Sequence, residues 1–189
     1  MNHETRVMRI LLFFLFLSIG CCNNSWAQDQ AADKVAPLPA KIFNFHVVSP
    51  GIMRGSQPST QDLMLLKERA GLKTILSLND NQQTNEQESF AASQIGVGFI
   101  NIPMSALDEQ APDKIKACLA IINDKSRHPI FIHCQAGKDR TGLIMAAYRV
   151  KYGHWSLSEA LNEMLLYGYD RVNFPAMELS LRKWAQRIN

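Results

Sequence analysis

From residue 43 onward, short β-branched or apolar runs alternate with longer stretches in which apolar residues recur every three or four positions. Phe43–Val48 reads as a strand, and Ser49-Pro50-Gly51 as a turn into Ile52–Arg54, its hairpin partner. Ser59-Thr60-Gln61-Asp62 opens a helix with Leu63, Leu66 and Ala70 on one face, and Gly71 stands where a C′ glycine belongs. Lys73–Leu78 predicts a strand ending at Asn79-Asp80. Thr84-x-x-Gln87 predicts a capping box for a helix to about Gln94, stopped by Gly96. Gly98–Ile102 is a short strand closed by Pro103, and a loop through Asp108 leads to a helix over Pro112–Asp124. Pro129–His133 has the look of a buried strand. Gly142–Tyr152, Leu157–Tyr167 and Met177–Ile188 predict three further helices, the second capped by Ser156-x-x-Glu159.

Strands interleaved with helices imply an α/β fold, with a largely parallel central sheet of about four or five strands flanked by helices. In such sheets ligands bind at the carboxyl ends of the strands, where the next helix offers its N-terminus.

The first residues follow a different pattern. Arg6 and Arg9 precede the apolar run Ile10–Cys22, and Ser25-Trp26-Ala27 puts small residues at the −3 and −1 positions of a cleavage site. A spanning helix needs about 20 apolar residues, so this run is short for an anchor. The pattern predicts a cleaved signal peptide over residues 1–27, a flexible leader over 28–41 and one domain over 42–189. The protein is then expected to be exported, periplasmic or secreted, with no stable membrane span. A lipid anchor on Cys21 is the alternative.

Composition narrows the function classes. A formal charge of +3 is too small and scattered for a nucleic-acid binder. Hydrophobic residues make up 47% of the chain, which argues against disorder. After signal cleavage only Cys118 and Cys134 remain, too few for a disulfide framework, and no CxxC or paired-His spacing suggests a metal. Cys118 falls on the apolar side of its helix and reads as a small core residue, although it could also capture an oxidised Cys134 as a disulfide.

Cys134 stands in the segment His133-Cys134-Gln135-Ala136-Gly137-Lys138-Asp139-Arg140-Thr141-Gly142, between a strand and a helix. A loop of this length can curl its backbone N–H groups around one oxyanion, and the helix N-terminus adds a positive dipole end. Gln135 through Thr141 would line that cradle. Arg140 can grip two phosphate oxygens with its planar fork. A thiol at a helix N-terminus beside a guanidinium is favoured as the nucleophilic thiolate. Thr141 is placed to donate its hydroxyl to that sulfur. His133, one residue earlier on a buried strand, points to the opposite face of the sheet and packs beneath the loop.

The segment resembles the H-C-x5-R-[ST]-G signature of the cysteine-dependent phosphatases, the tyrosine and dual-specificity superfamily. Arg54-Gly55-Ser56-Gln57-Pro58 and its neighbours resemble the R-x-G-Q-P region of the atypical dual-specificity type. The resemblance runs over about Phe43–Tyr167 and implies a dual-specificity-phosphatase-like fold. It also implies a cysteinyl-phosphate mechanism with no metal or cofactor, and a general acid on the loop after the preceding strand. Asp108 is the match on that loop. Asp139, inside the phosphate loop, and Asp113, after Pro112, are the competitors.

The expected function is phosphomonoester hydrolysis with Cys134, Arg140 and Asp108 as catalytic residues. The foremost substrate class is a phosphorylated protein, as for a tyrosine or dual-specificity phosphatase. Lys138 adds a second cation that suits a phosphoinositide or inositol phosphate as the alternative. More remote are a rhodanese-like sulfurtransferase, which Arg140-Thr141-Gly142 disfavours, and a dead phosphate-binding module, which the intact Cys134 disfavours.

Overall fold

The computed structural model describes residues 42–188; the signal and leader expectations, and the lipid alternative at Cys21, lie outside the described residues. Five strands form one sheet: β1 (His46–Ser49), β2 (Ile52–Gly55), β3 (Thr74–Ser77), β4 (Gly98–Asn101) and β5 (Ile130–His133). Their order is β1-β2-β5-β3-β4. β1 and β2 are an antiparallel hairpin; β2, β5, β3 and β4 run parallel. Six helices follow in chain order: α1 (Thr60–Ala70), α2 (Gln82–Gln94), α3 (Pro112–Asn123), α4 (Asp139–Tyr152), α5 (Leu157–Leu166) and α6 (Pro175–Ala185).

Strand alternation sorts the side chains into two cores. Ile52, Leu76, Ile130, Ile132 and Cys134 join residues of α3, α4, α5 and α6 on one face. Met53, Ile75 and Phe131 pack with Leu63, Leu66 and Ala92 of α1 and α2 on the other. β5 is paired on both sides and buried at every position. Cys134, one residue past β5, therefore starts from the middle strand of the sheet.

Several boundaries differ from the sequence reading. The first strand begins at His46 rather than Phe43, because Asn44 adopts a left-handed φ of 55° and turns the chain. α2 is capped by Asn81, whose side chain accepts from Thr84 N, so Thr84 stands inside the helix instead of opening it; asparagine is the stronger N-cap. α4 begins at Asp139, three positions before the expected Gly142, because Lys138 O already accepts from Gly142 N at 2.7 Å. α6 begins at Pro175, a residue whose missing N–H costs nothing at N1, and ends at Ala185. A 3₁₀ turn over Lys125–Arg127, with Asp124 accepting from Ser126 N, joins α3 to β5.

Candidate active site

The loop between β5 and α4 and the first turn of α4 carry Cys134, Arg140 and the expected cradle residues together, while Asp108 stands on the loop before α3. Cys134 is 2% exposed and reduced, while Gln135 and Ala136 face solvent. Among the described residues, the N–H groups of Gln135, Ala136, Gly137 and Lys138 have no hydrogen-bond acceptor. These lie next to the first turn of α4, whose own leading amides also lack intrahelical partners. Four or more unpaired amides facing a helix N-terminus make an anion cradle.

Gly137 gives the loop its curvature. Its φ is +69°, and a Cβ there would stand 2.4 Å from the backbone C and O of Gly55. The loop thus crosses the end of β2 at backbone contact. Gln57 N, just beyond, donates to Gln135 O at 3.1 Å. A trans peptide sets its C=O and the next N–H in opposite directions. Holding the Gln135 carbonyl therefore aims the Ala136 N–H the other way.

Arg140 is buried at the start of α4. Its Nη1 donates to Asp80 Oδ1 at 2.6 Å and to Met104 O at 3.0 Å. One end of the fork is thereby fixed, while Nε and Nη2 have no partner among the described residues. Asp80 was not singled out by sequence. It follows β3, and the carboxyl ends of parallel strands are where such residues collect.

His133 points to the opposite face, as its place on β5 dictates. It stacks on Phe131 at 5.5 Å, and its Nε2 lies 2.9 Å from Glu88 Oε1 of α2, at ion-pair distance but without hydrogen-bond alignment. Gln57 Nε2 donates to Glu88 Oε2 at 2.6 Å and Asn79 Nδ2 to Gln57 Oε1 at 3.0 Å. This buried chain links the histidine under the loop to Gln57 beside it. The sequence marked Gln57 as part of a motif without showing what it does; Glu88 and Asn79 gave no local signal.

The three candidate acids separate. Asp108 is exposed, and its carboxylate has no hydrogen bond or ion pair among the described residues. Its loop is held by Gln110, whose Nε2 donates to Ser105 O and Asp108 O and whose N donates to Ser180 Oγ of α6. The root of the same loop, Met104, reaches Arg140 through its carbonyl. Asp139 is buried and accepts from Asp170 N at 2.9 Å, so it ties α4 to the α5–α6 connection. Asp113 lies exposed in the first turn of α3.

Two other expectations change. Thr141 is fully buried, but its hydroxyl has no partner, so the hydrogen bond to Cys134 Sγ is not made. Lys138 lays its Nζ 5.2 Å over the Phe43 ring instead of into the cradle. A cavity of about 560 Å³ opens beside the loop, lined by Ala136, Lys138, Asp139, Asp170 and Arg171 among others. Cys118 is buried in α3, and burial pushes its thiol up to about 12. Among the described residues no group of His, Cys, Asp or Glu is arranged to hold a metal, and no helix is long and apolar enough to cross a membrane.

Comparison with known proteins bears on the family and the fold. The model of the tyrosine phosphatase family matches residues 39–179. The inositol diphosphatase Siw14 of Saccharomyces cerevisiae is 32% identical over 73% of this chain and 47% of its own length. The dual specificity protein phosphatase TpbA of Pseudomonas aeruginosa is 28% identical over 67% of this chain and 56% of its own. The chain thus spans about half the length of these curated relatives. Among solved structures, the catalytic core of Siw14 with citrate superposes with a TM-score of 0.66 at 26% identity, covering 77% of this chain and 90% of that one. TpbA in complex with phosphotyrosine gives 0.64 at 25%, covering 74% and 83%.

Proposed function

The chain belongs to the tyrosine phosphatase family, and on that premise we propose that it hydrolyses phosphate monoesters through a phosphocysteine at Cys134. The observation that carries the reading is the cradle itself: unpaired loop amides, a helix N-terminus and a fixed guanidinium, all next to one buried, reduced cysteine.

In this scheme the Cys134 thiolate attacks phosphorus while the loop amides and the free end of Arg140 hold the non-bridging oxygens. The P–O bond to the leaving group breaks, and that oxygen takes a proton from Asp108. Water then attacks phosphorus and passes a proton back to the Asp108 carboxylate; the S–P bond breaks, which releases inorganic phosphate and regenerates the thiolate. Donors fixed before the reaction need no reorganisation when charge shifts to the equatorial oxygens. Asp108 is exposed, so its part depends on substrate covering the loop.

The substrate class we favour is a phosphorylated protein, in line with the relative named as a dual specificity protein phosphatase. An inositol phosphate is the second reading, favoured by Lys138 and Arg171 on the cavity beside the loop and by relatives named inositol diphosphatases. Phosphate release from phosphotyrosine peptides, phosphoserine peptides, phosphoinositides and inositol polyphosphates separates the two. Preference for the last pair would overturn the first choice, and release from none would overturn the scheme. The N-terminal pattern further supports export of the protein after cleavage at Ala27. N-terminal sequencing of exported material checks it, a start at Gln28 agreeing and a lipid-bearing Cys21 disagreeing.

A further inference from the structure

One carbonyl of the phosphate loop is held by two side chains that the scheme above does not use. Gly137 O accepts from Arg54 Nη2 at 2.7 Å and from Asn44 Nδ2 at 2.9 Å. Asn44 also donates to Tyr167 O at 2.9 Å, and His46 Nε2 lies 3.1 Å from its Oδ1. The left-handed φ of Asn44 is thus spent on aiming one amide. Arg54 is 1% exposed, with its guanidinium 4.6 Å over the Tyr167 ring.

A peptide carbonyl does not need two donors, one of them charged, to be satisfied. A buried guanidinium is also costly, and the Nε of Arg54 has no partner at all. A methionine would fill similar space without that cost. Burial lowers the Arg54 pKa to about 10, against the pull of Glu163, Tyr167 and Cys134 toward the charged form and the push of Arg149 away from it. The group is cationic at neutral pH and within electrostatic reach of the cysteine.

The geometry of the peptide says what the clamp accomplishes. With Gly137 O pinned from the β1–β2 side, the trans peptide turns the Lys138 N–H the opposite way. That N–H is one of the loop amides without an acceptor. We propose that Arg54 and Asn44 are positioning residues of the anion site: they fix the 137–138 peptide so that Lys138 N–H faces the bound oxyanion. The proposal rests on the loop being an oxyanion site. The titratable and charged groups about the loop are Arg140 and Asp139 of α4, Lys138, Arg54 of β2, Asp80 after β3, and His133 with Glu88 beneath it. Glu163 and Arg149 stand behind Arg54, paired with each other at 2.8 Å.

The test compares wild type with Arg54→Met, Arg54→Lys and Asn44→Gly. It reads the affinity for inorganic tungstate, from the protection of Cys134 against iodoacetamide, and kcat and KM on an activated aryl phosphate. Arg54→Met should weaken tungstate about 10-fold or more and raise KM with it. Arg54→Lys should recover only part of the tungstate affinity, since it keeps a charged donor and loses the fork. Asn44→Gly keeps the backbone turn and should weaken tungstate about fivefold. A folded Arg54→Met with tungstate affinity within about twofold of wild type overturns the proposal. If that variant does not fold, wild-type tungstate binding in both Arg54→Lys and Asn44→Gly overturns it. Should wild type bind tungstate with these shifts yet release no phosphate from any ester, the phosphatase reading fails while the positioning roles stand.

Discussion

The two loops that meet at Arg140 are built to opposite specifications. The loop over residues 134–141 is fixed along its length: Gln135 O by Gln57 N, Gly137 O by Arg54 and Asn44, Lys138 O by Gly142 N, and Asp139 by Asp170 N. Its neighbour, from Met104 to the start of α3, is anchored at its root on Arg140 and near its end by Gln110 on Ser180, with Gln110 bridging Ser105 O and Asp108 O and Glu109 paired with Lys183 at the surface. Between those points Leu107, Asp108 and Glu109 are exposed. The proposed oxyanion site is thus fixed before substrate arrives, whereas the proposed acid stands on a segment whose side chains are exposed among the described residues. Under the proposed scheme, nucleophilic attack draws on preorganisation and proton delivery draws on binding.

Substitutions can break this contrast at either loop. Cys134→Ser should bring the largest loss, turnover falling to background with tungstate or phosphate binding retained, since a serine hydroxyl does not ionise at neutral pH. Near-wild-type phosphate release would remove the mechanism. Asp108→Asn should cost about 10²–10⁴-fold on a phosphotyrosine or alkyl phosphate. It should cost much less on an activated aryl phosphate, whose leaving group needs no proton. If Asp139→Asn shows that leaving-group dependence and Asp108→Asn does not, the acid belongs to the fixed loop and the contrast collapses.

Gly137→Ala tests how far the fixed loop depends on one backbone crossing. A left-handed alanine costs about 1–2 kcal/mol, and the contact at 2.4 Å with Gly55 must also be relieved. Melting should show a total loss of about 2–5 kcal/mol; an unchanged melt would mean the crossing is slack. Asp80→Asn should raise KM about three- to tenfold with a smaller change in kcat, because a half-exposed carboxylate orients Arg140 but does not bind phosphate. Smallest of all is the effect at Cys118. With its thiol pushed up to about 12 it stays neutral and unreactive, so mass spectrometry after iodoacetamide at pH 8 should find Cys134 modified and Cys118 untouched.

The fixed loop was the more legible of the two, because its chemistry is contiguous in the chain. Cys134, Gly137 and Arg140 fall within a few residues, between a strand and a helix whose patterns are plain. Its supports were not legible. Arg54 and Asp80 come from strands, or the ends of strands, that flank β5 only through the sheet order β1-β2-β5-β3-β4, a fact carried by long-range pairing and not by local pattern. Asn44 was hidden inside what read as a strand, since a single left-handed asparagine leaves the apolar alternation of Phe43 and Phe45 intact. The start of α4 was placed late because Gly142 looks like a breaker, yet Met164 packs 3.3 Å from where its Cβ would be. That glycine serves helix packing, and the helix runs through it.

The position of β5 also bears on how the molecule fails. Its neighbours on both sides are parallel strands, and its residues Ile130 to His133 are wholly buried. Amide protons in such a strand exchange with solvent chiefly when the whole sheet opens, not by fraying. The nucleophile hangs directly from that strand. Heating should therefore erase alkylation-competent Cys134 geometry and global structure in one step, and deuterium uptake at β5 should track the overall unfolding equilibrium rather than run ahead of it.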